Sequence, residues 1–147
     1  MFRRLIWTTD DFALTVLRLV LGIVFFAHGA QKMLGWFGGY GFTGTMGFFT
    51  GQGIPAPLVF LAIVAEFFGS MGLIVGLLGR VAAFGIFCNM VVAILTVHMS
   101  NGFFMNWFGK QAGEGFEYHL LAIGLAVAIM IGGSGAASID RALTRES

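Results

Sequence analysis

The chain alternates long apolar stretches with short segments of glycine, aromatic and charged residues. Four such stretches stand out, at about residues 12–35, 57–78, 81–98 and 117–132. Each is near the roughly 20 residues that a helix needs to cross a bilayer, and none shows the strict alternation of a half-buried strand. The pattern predicts an all-α fold, a transmembrane four-helix bundle in one domain covering residues 1–147. Thr9, Asp10 and Asp11 supply N-cap and first-turn groups for the first span. Pro55 and Pro57 suit the entry to the second, and Gly132, Gly133 and Gly135 stop the fourth. The Gly79-Arg80 connection is so short that the second and third spans must pair as an antiparallel hairpin. Between the first two spans, Thr43 to Phe49 predict a short helix lying in the membrane interface.

Composition agrees. Of the residues, 58% are hydrophobic and only 10% charged, too apolar for a soluble domain of 147 residues. Net charge is +1 with no basic run, which gives no footing for nucleic acid. The lone cysteine, Cys88, excludes an internal disulfide or a CxxC redox pair, and its place in an apolar run reads as an inert buried thiol. Arg3 and Arg4 before an apolar segment also fit a cleaved signal peptide, but Asp10, Asp11 and the internal Arg18 argue against cleavage. Arg3, Arg4, Arg80, Arg141 and Arg145 gather on one side of four spans, with Lys32 and Lys110 on the other. The positive-inside rule then puts both termini in the cytoplasm.

The exceptions to the apolar pattern carry the candidate chemistry. Ionisable groups inside a span are costly and mark functional sites by default. Arg18, His28 and Lys32 interrupt the first span and Glu66 the second. In the predicted topology His28, His98 and His119 all reach one leaflet, and Glu66 lies roughly 13 Å into its span from the same side. Gln31, Lys32 and Glu117 share that depth. Three readings follow. Glu66 could pair with Lys32 or His28 as structural glue. Alternatively, His28, Lys32, Glu66 and His119 serve a quinone or quinol as proton carriers and charge stabiliser, with Phe25, Phe67, Phe116, Glu117 and His98 around the ring. Third, three imidazoles and a carboxylate could ligate a metal, although no HxxxH, HxxH or ExxH pair supports this. Arg18 reads as an anchor, snorkelling to the interface or pairing with Asp11 or Asp140. Asn89 could bridge helices, and Gly72 and Gly76 have the small-xxx-small spacing of close helix packing.

At these residues the chain resembles the DoxX family of small four-span bacterial and archaeal membrane proteins. The resemblance is carried by Arg18 with Gly22, FFAHGAQKMLG, GIPAP, EFFGSMGLIVGLLGR, GFEYHLLAIGLA and GSGAASID. It places Arg18, His28, Lys32, Glu66, Arg80 and Glu117 on motif positions, while the first outer linker is richer in glycine than the family pattern. The resemblance implies a multi-pass plasma-membrane protein of a redox system, linked to quinone, with a redox partner protein. A non-catalytic anchor for such a partner and a metal-handling protein are the alternatives, and a homo-oligomer fits either.

Overall fold

The computed structural model describes residues 2–145. Helix α1 (Phe2–Ile6) leads into α2 (Phe12–Leu34), the short α3 (Gly41–Gly51), the hairpin of α4 (Ala56–Val75) and α5 (Gly79–Ala93), then α6 (Glu117–Gly132) and α7 (Ile139–Arg145). The fold is all-α, with α2, α4, α5 and α6 packed as a four-helix bundle. Three helical segments, Phe12–Leu34, Ala56–Val75 and Gly79–Asn101, are long and apolar enough to cross a membrane. Helix α6 is also apolar but has 16 residues, roughly 24 Å, somewhat short of a hydrocarbon layer.

Local signals explain the boundaries. Asp11 caps α2, its carboxylate accepting from the Ala13 amide at 2.8 Å. Pro55 precedes α4, and Gly76, in the left-handed conformation, ends it. The second span therefore ends earlier than its apolar run. Leu77 and Leu78 form the turn, and Leu78 adopts a φ of 52°, unusual for a branched residue. The Asp140 carboxylate holds that turn by accepting from the amides of Leu78 and Gly79 at 2.9 and 3.1 Å.

The core is apolar side chains from all four bundle helices, including Leu21, Phe25, Leu73, Ile86, Met90 and Ile129. Helices α2 and α4 approach closely at Gly29, where a Cβ would lie 2.7 Å from the Phe67 backbone. That contact leaves no room for any other residue, and Lys32 follows one turn later, facing α4.

Arg18 departs from the expectation of a snorkelling anchor. It is only 2% exposed and donates to the carbonyls of Leu73 and Ile74, at the C-terminus of α4, and of Ser134 and Ala137. The Leu73 and Ile74 carbonyls lie in the last turn of α4, at the negative end of its dipole, so a buried guanidinium is better placed there than at the surface. Arg80 does the same for α6, donating to Met130 and Ile131 at 2.7 and 2.9 Å while covering the Trp7 ring. Ser134 links the two systems, donating to Asp140 at 2.6 Å and accepting from Arg18 through its carbonyl. This knot gathers both chain ends at the α4–α5 turn. Cys88 also differs from expectation: it is exposed, because two residues past Ile86 lies about 200° around the helix from the core face.

Arg18→Met should lower stability by at least about 3 kcal/mol, since several buried carbonyls lose their donor together. Arg18→Lys should restore only part, because one ammonium cannot span carbonyls on both sides as the planar fork does. Thermal unfolding in detergent measures both. At the exposed edge of the same end, Asp10 accepts from Arg145 at 2.7 Å and pairs with Arg141 at 3.2 Å. The Arg141 hydrogen bond holds the Asp10 carboxyl below its ordinary value. Its folded value being the lower one, the stabilisation is complete above the ordinary carboxylate range and vanishes as pH falls through the lowered value. Wild type and Asp10→Asn should thus differ slightly in melting temperature at neutral pH and converge in acid.

Candidate functional site

At the bundle end opposite the knot, the polar residues of the spans meet. Glu66 is 3% exposed on α4, and its carboxylate forms an ion pair with Lys32 of α2. Its other oxygen accepts from the Asn89 amide of α5 at 3.2 Å, and the same amide donates to the Ala62 carbonyl at 3.0 Å. Three helices therefore meet at one carboxylate: α4 carries it, and α2 and α5 each supply a donor that the packing fixes. Lys32 keeps 30% of its side chain exposed, so the pair is buried on one side and open on the other.

The open side is a cleft of about 1370 Å³ along the α4–α5 groove. One end is polar, lined by His28, Lys32, Glu66, Asn89, His98 and His119; the rest is apolar. Leu58, Leu61, Phe68, Met71, Phe84 and Val92 are exposed along the groove, which therefore faces outward from the bundle.

Aromatic rings run away from the ion pair. The centroid of Tyr118 lies 6.3 Å from that of His28 and 5.4 Å from that of His119, and the His119 and His98 rings are 4.0 Å apart. His98 Nδ1 is 2.8 Å from the Glu114 carbonyl. A carbonyl can only accept, so Nδ1 carries the proton and Nε2 of the neutral ring is left as an acceptor. Tyr118 Oη and His119 Nδ1 are both buried without a hydrogen-bond partner, and both residues line the cleft. Such orphaned groups are rare and call for an unseen partner.

The residues singled out from the sequence thus divide. His28, Lys32, Glu66, His98 and His119 share the cleft. Phe25 is core, packed on the rings of His28 and Tyr118 behind the cleft. Phe67 stacks on Phe26, turned toward α2 by the close approach at Gly29, and Phe116 packs on Phe103. Glu117 does not join either: its carboxylate accepts from the Met105 amide and the Trp107 indole, folding the loop over the start of α6. Gln31 donates to the Phe37 carbonyl. Among the described residues, no three His, Cys, Asp or Glu side chains converge as metal ligands, so the geometry gives the metal reading no site. Sequence reasoning missed Tyr118; its i+1 relation to His119 carries no pattern that marks it.

The DoxX family profile matches residues 13–99, more than half of the chain. The protein belongs to the DoxX family. Its matched region contains Arg18, His28, Lys32, Glu66, Asn89 and His98, both the knot's central cation and most of the cleft's polar end. The chain is also 28% identical to CatD of Bacillus subtilis (strain 168), provisionally named an oxidoreductase, over 114 residues, 78% of this chain and 75% of that relative. No solved structure matches it. Family membership and the apolar helices make this DoxX protein a multi-pass membrane protein.

Replacing Glu66 tests its role in the fold. Glu66→Gln keeps an acceptor for Lys32 and Asn89 and should cost less than Glu66→Leu, which leaves the Lys32 ammonium without its partner and Asn89 with only the Ala62 carbonyl. We expect Leu to cost roughly 1–3 kcal/mol more than Gln. Thermal unfolding of the two variants side by side reads the difference; equal melting temperatures would sink the account.

Proposed function

We propose that this protein is the quinone-handling membrane subunit of a redox system, its cleft admitting the ring sideways from the lipid toward Lys32, Tyr118 and His119. The observation that carries the reading is the pair of orphaned polar atoms, Tyr118 Oη and His119 Nδ1, on residues that line a largely apolar cleft. A quinone presents hydrogen-bonding oxygens at opposite ends of an apolar ring, and it supplies two-electron, two-proton chemistry when bound. The residues fit such a group. Tyr118 Oη is a free donor for a carbonyl oxygen, and His119 Nδ1 accepts from a hydroxyl or, once protonated, donates. The Lys32 ammonium, open on one side, would stabilise negative charge on a ring oxygen, and apolar walls would strengthen that attraction. His28 and Glu66 are the proton carriers within the cleft.

The electrons require a redox partner protein, since a lone exposed cysteine offers no internal relay. We place both termini, and the Arg18–Asp140 knot, on the cytoplasmic side of a plasma membrane, from the distribution of Lys and Arg. Reporter fusions after Ser147 and within residues 101–113 test that placement, and an external C-terminus would reverse it.

The competing reading is a non-catalytic anchor, favoured by the way Lys32 and Asn89 already satisfy Glu66. Binding of a short-chain quinone analogue separates the two. Wild type should bind at micromolar concentration, with Glu66→Gln and His28→Ala each weakened about tenfold, the loss of one good polar contact. Equal, weak binding by all three would leave the anchor.

A further inference from the structure

Resting on the quinone reading, we propose that His119 and His98 form a proton path from the polar end of the cleft to the water beside the Glu114 loop. His98 would be a relay that never needs to touch the ligand. The path starts with His119, 6% exposed, whose unpartnered Nδ1 is the acceptor at the cleft. It continues to His98, whose ring centroid is 4.0 Å away. The hydrogen bond from His98 Nδ1 to the Glu114 carbonyl fixes its tautomer, leaving Nε2 free to accept. His98 itself is only half-buried, and Glu114 is exposed, so the last member of the path meets solvent.

The backbone supports the assignment. Helix α5 is regular through Ala93 and then widens to a π-helix over Ile94–His98 before the 3-10 turn Met99–Asn101. Neither Gly nor Pro occurs in residues 94–98 to break the helix. Wide turns of this kind lose regular hydrogen bonding and occur often at functional sites. Here the interruption sets the register of the last turn, bringing His98 onto the α6 ring it must reach.

The groups facing this pair are His28 from α2, Tyr118 from α6, Glu114 from the loop and, deeper, the Lys32–Glu66 pair. Two imidazolium rings at this spacing would repel, which disfavours a second extra proton on the pair while the first is still there. A proton accepted at His119 therefore favours its departure through His98. Only protons move along this path: His119 gains one at Nδ1, the pair hands one on, and His98 releases one to water, or the reverse.

A stopped-flow experiment on the detergent-purified full chain tests the path without a redox partner. The probe is 2-hydroxy-1,4-naphthoquinone, an acidic quinone that is ionised at neutral pH, mixed with protein in weak buffer containing a water-soluble pH dye. Quinone absorbance reports arrival and the dye reports the proton taken up by His119 to match the anion. In wild type the two signals should keep step. In His98→Gln, which keeps an N–H donor for the Glu114 carbonyl but cannot relay, the proton should lag arrival at least tenfold. His119→Gln should remove the uptake. No binding by wild type would remove the quinone reading itself. Binding without proton uptake, or uptake that keeps step in His98→Gln, would leave that reading standing and overturn the path.

Discussion

A polar group enclosed among apolar side chains and lipid has no water to turn to, and most of this structure is a consequence. Every carbonyl at the end of a helix, every charge within a span and every turn amide must find a partner inside the protein. The bundle meets this demand differently at its two ends. At the end that gathers the termini, Arg18 and Arg80 take the last carbonyls of α4 and α6, and Asp140 takes the amides of the hairpin turn. Donors and acceptors there are closely matched, and the glycines at 76, 79 and 135 leave the backbone close enough for short side chains to bridge it. Among the buried side-chain polar atoms described at this end only Arg141 Nε lacks a hydrogen-bond partner, and its guanidinium still pairs with Asp10, so little is left there to bind.

The other end is incomplete. Glu66 is satisfied by Lys32 and Asn89, yet Lys32 stays open on one side, and two polar atoms one residue apart on α6 have no partner. An apolar groove leads from the outer face to that point. A membrane protein with every polar group paired can only hold helices together; one with unpaired groups at the end of an accessible cleft has something left to bind. The contrast between the ends, more than any single side chain, favours a ligand-handling role over a pure anchor.

The two ends are mechanically joined. Helix α2 carries Arg18 in the knot and Lys32 in the cleft, and it lies against α4 through Gly22 and Gly29, where a Cβ would meet backbone or core at 3.1 Å or less. Helix α4 likewise carries the carbonyls that Arg18 receives and the carboxylate that Lys32 meets. The knot thus fixes the relative height of α2 and α4. That height brings Lys32 level with Glu66, so the rigid end positions the reactive one.

Hydrophobic pattern by itself determined the helical class, the four apolar segments and the hairpin, because burial in lipid imposes a length and an apolarity that can be counted along the chain. The cap at Asp11 and the stop at Gly133 were legible for the same reason: they act within one turn. The depth argument also located His28, Lys32, Glu66, His98 and His119 at one end, since helical rise converts position into height. Rotation about each helix axis was left to the tertiary structure. It turned Glu117 into a loop latch, Phe67 toward Phe26 and Cys88 to the outside, and it brought Tyr118 into the cleft. Arg18 was decided there too, because its partners are carbonyls, which every residue carries and no sequence pattern marks. Which face a residue presents depends on how four helices pack against one another, and a low hydrophobic asymmetry around α5 and α6 gives the sequence little power to fix it.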